Sequence, residues 1–129
     1  MQRSFESLMQ KALDTAKNAY APYSKFHVGA CALYESGNTY TGCNVENTSY
    51  GITLCAERNA LSTAIAAGEK SKLFAIAIIA LERNFCPPCG ACRQWIAEFS
   101  KDAKVILKND DGTLAILGIK ELLPYTFVL

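Results

Sequence analysis

The sequence carries almost no net charge: thirteen Lys and Arg stand against twelve Asp and Glu, leaving a formal +1 near neutral pH. The electrostatic footprint by which a protein grips DNA or RNA phosphates is therefore missing, and no nucleic-acid polymer is expected as partner. Long apolar runs are missing too. The longest, Leu73 to Leu81, spans nine residues, about half of the roughly 20 that a membrane helix needs. The N-terminal stretch MQRSFESLMQKALDTAKNAY is interrupted by polar and charged residues, unlike the apolar core of a secretory signal. These absences predict a cytoplasmic protein with no membrane partner, working on small substrates. Histidine is represented once, by His27, which reads as a surface or packing residue and not as a ligand. There are no repeats and no low-complexity tracts.

What is present is enough for one core. Half of the 129 residues are hydrophobic, which fits a globule with a single domain over residues 1–129 and leaves no room for a second. Of six cysteines, three crowd into Cys86 to Cys92. In a reducing compartment such clustering favours metal binding over disulfides.

Phe5, Leu8, Met9, Ala12, Leu13, Ala16 and Tyr20 recur at helical spacing and predict an amphipathic helix ending before Pro22. FHVGACALY and NTYTGCN flank the turn Glu35-Ser36-Gly37 and read as an antiparallel hairpin. Thr53 is the expected cap of a helix over about residues 54–67, with Gly68 at its end. The wholly apolar LFAIAIIAL suits a central parallel strand buried on both faces. Pro88 opens a further helix bearing Cys92, Trp95, Ile96 and Phe99, then KVILK and TLAIL read as strands and IKELL as a short closing helix. This order predicts an α/β protein, a three-layer α/β/α sandwich around a mixed sheet of about five strands.

Two cysteine-bearing segments, Cys55-Ala56-Glu57 and Pro88-Cys89-Gly90-Ala91-Cys92, each fall near a predicted helix start. Strand-to-helix junctions of this kind gather side chains in one crevice. Cys89 and Cys92, three apart in a first helical turn, project from nearly the same side and form a chelating pair. Three thiolates with a fourth position left open make a catalytic zinc arrangement, in which a water's pKa falls from about 15.7 towards roughly 7. Three thiolates on a divalent ion leave one negative charge in excess, which opposes that ionisation. Two helix N-termini, Arg58 and Arg93 are available to offset it. Deaminating an aromatic ring also needs a group that carries protons to the ring nitrogen and to the leaving amine, and Glu57 is the candidate general acid and base.

C-A-E followed by P-C-G-A-C-R resembles the signature of the cytidine deaminases in their three-cysteine branch, a zinc-deaminase superfamily whose first ligand is His in another variant. PYSKF (22–26), GCNVENTSYG (42–51), CAERNA (55–60) and GIKELLP (118–124) resemble family segments as well, so the likeness spans nearly the whole chain. It implies one Zn2+ per subunit held by Cys55, Cys89 and Cys92, and attack of the activated water on C4 of cytidine or 2′-deoxycytidine, with Glu57 moving protons, in pyrimidine salvage. It further implies that Asn44 and Glu46 bind the ribose hydroxyls, that Phe26 and Ala56 line the nucleoside pocket, and that Arg58 hydrogen-bonds the thiolates. Tyr50 and Phe127 would reach a neighbour's active site in a homotetramer.

Two rival expectations stand beside this one. A closed, structural zinc module results if Cys86 supplies a fourth sulfur, although Pro87 and Pro88 extend the chain there. A deaminase for another cytosine nucleoside, resembling the blasticidin S deaminases, is the other. Cys31 and Cys43 fall in predicted strands and read as small buried apolar residues.

Overall fold

The computed structural model describes the backbone of residues 2–129, with side chains from Phe5 onward. Its elements are helix α1 (Gln2–Ala16), strands β1 (Val28–Tyr34) and β2 (Thr39–Cys43), a short 3-10 turn (Tyr50–Ile52), α2 (Ala56–Ala66), β3 (Leu73–Ala80), α3 (Gly90–Phe99), β4 (Lys104–Lys108), β5 (Leu114–Gly118) and α4 (Ile119–Leu122). The strands lie in the order β2-β1-β3-β4-β5, as one mixed five-stranded sheet. Only β3 and β4 pair in parallel; β1 is antiparallel to both β2 and β3, and β5 is antiparallel to β4.

Alternation along β3 explains the layers. Ile76 and Ile78 point into a core shared with Ala56, Ala60, Leu61 and Ala64 of α2 and Ile96 of α3. Ala75, Ala77 and Ile79 point the other way, against Phe5, Leu8, Met9 and Ala12 of α1. A strand apolar on both faces must be covered twice, and the result is the expected α/β/α sandwich. The expected position of LFAIAIIAL is therefore correct at the centre, while its pairing is parallel on one side only.

Two close approaches set how the helices sit. A Cβ on Gly29 would lie 1.9 Å from the Ala12 carbonyl oxygen of α1, and one on Gly42 would lie 2.4 Å from the Ala60 nitrogen and 2.6 Å from the Ala56 oxygen of α2. Each helix rests on bare backbone at these points.

Boundaries shift in physically readable ways. The first helix ends at Ala16, and Tyr20 lies beyond it, 55% exposed, in a bridge to Val45 instead of on the apolar face. Thr53 does not cap α2; it closes the 3-10 turn, and Cys55 takes the N-cap position. Gly68, at φ 89°, does follow α2 in the left-handed conformation that favours glycine. Pro88 stands one residue before the Cys89 N-cap of α3, where a missing N–H costs nothing. No helix among the described residues is long and apolar enough to cross a membrane.

At the end of the sheet where the hairpin turns, Glu69 is buried among donors. One carboxylate oxygen accepts from Ser36 Oγ at 3.1 Å, Asn38 Nδ2 at 3.1 Å and Tyr40 OH at 2.8 Å; the other accepts from the Ser71 N–H at 3.2 Å and Ser71 Oγ at 2.6 Å. These bonds, led by those from Ser71 and Asn38, hold the Glu69 carboxyl at about 2, below its ordinary 4.5. Because the folded value is depressed, the stabilisation is complete above the unfolded value near 4.5 and disappears as pH falls towards 2. Denaturant midpoints measured from pH 6 to pH 2.5 (about one Debye-screened buffer series) are expected to fall more steeply for the natural protein than for Glu69→Gln. Parallel curves would refute the assignment.

Candidate metal centre and active site

β2 and β3 run in the same direction, since each is antiparallel to β1. Their carboxyl ends therefore face the same way, and α2 and α3, which follow them, begin at that end of the sheet. Cys55 is the N-cap of α2, Cys89 the N-cap of α3 and Cys92 the third residue of α3. Neither N-cap thiol makes a side-chain capping bond, so both sulfurs are free for other partners.

The three sulfurs lie within 4.8 Å of one another. Sulfurs sharing one zinc at bonds of about 2.3 Å stand about 3.8 Å apart in a tetrahedron, so a small closure brings this trio onto an ion. Exposure is graded: Cys92 is buried, Cys55 half-buried and Cys89 exposed. The cluster is thus walled by the core on one side and open on the other, as a catalytic site with a free coordination position requires. Cys86 is not a member of the cluster, so the closed four-sulfur module is not what the fold builds. The left-handed Phe85 and the two prolines after Cys86 carry it off the helix turn.

Without an ion, the sulfurs share charge. Hydrogen bonding from Cys92, then the Arg58 guanidinium, hold Cys55 down at about 5, whereas bonding to Cys55 and burial push Cys92 well above the thiol range. Cys55 thus favours its thiolate and Cys92 its thiol. A divalent cation favours the thiolate of each by supplying the missing positive charge. Arg58 Nη2 donates to Cys55 Sγ at 3.1 Å and to the Thr53 carbonyl at 3.4 Å, while its buried Nε has no partner. The donor set, the cationic neighbour and the two helix N-termini fit zinc.

Glu57, at the second position of α2, is 5% exposed. Burial is the main reason its carboxyl rises from 4.5 to about 7, and the negative charge on Cys55 adds to it. A carboxyl at that value both accepts and returns a proton near neutrality. Its place beside Cys55 marked it in the sequence; the core behind α2 adds the burial.

The remaining expected residues divide into two groups. Glu46 borders a cavity of about 280 Å³ lined with Tyr23, Ser24, Tyr50 and Thr53. One of its oxygens accepts the Tyr23 and Ser24 N–H groups at 3.0 and 3.1 Å, and Ser24 Oγ donates to the other, which lowers the Glu46 carboxyl. Asn44 is committed at both ends of its amide: Oδ1 accepts the Val28 N–H and Nδ2 donates to the Phe26 carbonyl, each at 2.9 Å. Phe26, half-buried, is held from the other side by its own N–H donating to Ser24 Oγ at 3.0 Å. Ala56, the first residue of α2, is fully buried in the core beneath that helix. Tyr50 is 73% exposed and tilts against Tyr23.

Phe127 is elsewhere. It is 69% exposed and lines, with Lys72, Gln94 and Phe99, a cavity of about 800 Å³ between α3 and the C-terminal segment. None of Cys55, Cys89, Cys92, Glu46 and Glu57 lines that cavity. Ser24 and Asn59 were missed from the sequence. Asn59 Nδ2 donates to the Cys43 carbonyl at 3.0 Å and ties α2 to β2, and only the register of helix on strand reveals it.

Residues 2–108 match the family model of the cytidine and deoxycytidylate deaminase zinc-binding region. The chain belongs to that family. It is 44% identical over 123 residues to a cytidine deaminase of Halalkalibacterium halodurans, covering 95% of this chain and 92% of that one. The crystal structure of cytidine deaminase from Burkholderia pseudomallei matches with a TM-score of 0.88 at 41% identity, covering 95% of this chain and 98% of that one. The cytidine deaminase of Mycobacterium tuberculosis matches with a TM-score of 0.86 at 36% identity, covering 97% and 98%. This deaminase is accordingly a hydrolase with a zinc cofactor, one ion for each three-cysteine cluster.

Proposed function

We propose that this deaminase converts cytidine and 2′-deoxycytidine, with water, to uridine and 2′-deoxyuridine and ammonia, within pyrimidine salvage, and that the whole chain acts as one catalytic domain in the cytoplasm. The observation that carries the reading is an open three-sulfur cluster with a buried carboxyl of raised pKa on the adjoining helix turn.

Cys55, Cys89 and Cys92 would hold the zinc, which would bring the pKa of a water near roughly 7 and so provide a nucleophile at neutral pH. Glu57 takes one proton of the attacking water and delivers it to the ring nitrogen as C4 becomes tetrahedral. It then takes the remaining proton from the C4 hydroxyl and passes it to the amino group, so that the C4–N bond breaks, the carbonyl forms and ammonia leaves. Arg58 offsets the excess thiolate charge from 3.1 Å. Asn44 and Glu46 hold the ribose hydroxyls, with the outer lone pairs and hydrogens their loop bonds leave free, and Phe26 with the Ala56 backbone lines the base. The exposure of Tyr50 and Phe127 supports a homotetramer in which these aromatics complete a neighbour's site.

Added to cytidine, the zinc-loaded protein is expected to abolish the substrate's characteristic ultraviolet absorbance and to release ammonia in equal amount, and a strong chelator to stop both. Unchanged absorbance with fully loaded protein would overturn the reading.

A further inference from the structure

Arg93 follows the last cysteine of the cluster, and on sequence it reads as a cation available to offset the thiolate charge. The structure gives it other partners. Half-buried, it turns back along α3 so that Nε donates to the Pro88 carbonyl and Nη1 to the Leu122 carbonyl, each at 2.8 Å. Its own backbone N–H donates to the Cys89 carbonyl at 2.9 Å. The carbonyls on both sides of the Cys89 nitrogen and sulfur are therefore held by one residue.

The loop needs such a tie. Pro87 and Pro88 have no N–H to offer, so the segment entering Cys89 is secured through its carbonyls. Cys89 itself is the exposed member of the trio and makes no capping bond. Leu122 is the last residue of α4, whose terminal carbonyls lack intrahelical partners, and a cation there is doubly favoured. α4 is in turn anchored by buried Ile119 and by Glu121, which accepts the Gly118 N–H at 2.8 Å.

We infer that Arg93 is a positioning residue for the metal: its guanidinium clamps the Pro88-Cys89 loop to the end of α4, so that the C-terminal helix sets how firmly the ion is kept. Arginine's planar fork spans two carbonyls in different directions, which a single ammonium cannot do. The inference rests on the zinc reading of the cluster and adds a residue to it.

The test is zinc release from the full-length, zinc-loaded protein to an excess of chromogenic chelator at 25 °C (about 298 K), with circular dichroism reporting the fold throughout. Arg93→Gln is expected to release zinc about 10- to 100-fold faster, as loss of a group that orients a ligand does elsewhere. Arg93→Lys, which keeps the charge and one bond, is expected to fall between. Gln94→Ala, which frees only the Phe127 carbonyl, is expected to release zinc at the natural rate. Natural release from folded Arg93→Gln overturns the inference; if that variant does not fold, natural release from Arg93→Lys overturns it. Equal acceleration by Gln94→Ala would also overturn it, by showing general loosening of α3. Natural protein that takes up no zinc would sink the functional reading as well, and that outcome is separate from the others.

Discussion

Glu57→Gln is expected to lower kcat about 10⁴-fold, the upper end of what a single acid–base group contributes, while the protein keeps its zinc. In the proposed mechanism two proton transfers pass through this carboxyl, so both would be lost together. The amide matches the carboxyl in size and fills the same buried position, and the metal cluster comprises only Cys55, Cys89 and Cys92. Zinc content by atomic absorption should therefore equal that of the natural protein. Stability should move the opposite way from activity. The Glu57 carboxyl is raised from 4.5 to about 7 by burial, so keeping it charged costs folding free energy progressively from pH 4.5 upward and fully above 7. Gln pays no such cost. The metal-free variant is expected to melt at or above the natural temperature at pH 8 (about one unit past the raised value). Residual turnover within tenfold (about 1.4 kcal/mol) of the natural rate, or loss of zinc, would remove Glu57 from the proton-carrying role.

A second large effect is expected away from any reacting group. Gly42→Ala places a methyl carbon where α2 backbone atoms already stand at 2.4 and 2.6 Å, at Ala60 and Ala56. Neither atom is the end of a flexible side chain, so the helix itself must move. Overpacking of this kind costs about 3 kcal/mol. The shift also carries the N-terminus of α2, and with it Cys55 and Glu57, off its place beside α3. A displacement near 1 Å at a reacting group costs on the order of 10²-fold. Lowered Tm together with a kcat loss is the expected pair, measured against Gly51→Ala, where an added methyl meets nothing within 4 Å. A stable, fully active Gly42→Ala protein would show that α2 can be displaced without disturbing the site.

The metal and the carboxyl were legible in the sequence for a simple reason. Chelation by Cys89 and Cys92 is a local property of three-residue spacing in a helix turn, and Glu57 stands two residues after Cys55. The unbroken apolar run LFAIAIIAL likewise marked the strand covered on both faces, because it offers no polar residue to turn towards water. Helix starts were less legible. Thr53 and Pro88 are good local signals, yet Cys55 and Cys89 take the N-cap positions, and their sulfurs converge because β2 and β3 run the same way and α2 and α3 start at one end of the sheet.

What the amino acids alone determined, then, was the donor set, the carboxyl proposed as acid and base, the layer order and the family likeness, all of which depend on short-range spacing or repeated period. The tertiary structure alone decided four other matters: that Cys86 stays outside the cluster, that Asn44 is bound at both ends by the Phe26–Val28 backbone, that Phe127 lies at a separate cavity, and that Arg93 spans from Pro88 to Leu122. Each joins residues distant along the chain or depends on a left-handed or proline-stiffened turn. Such contacts arise only when the helices have packed on the sheet, and no local pattern encodes them.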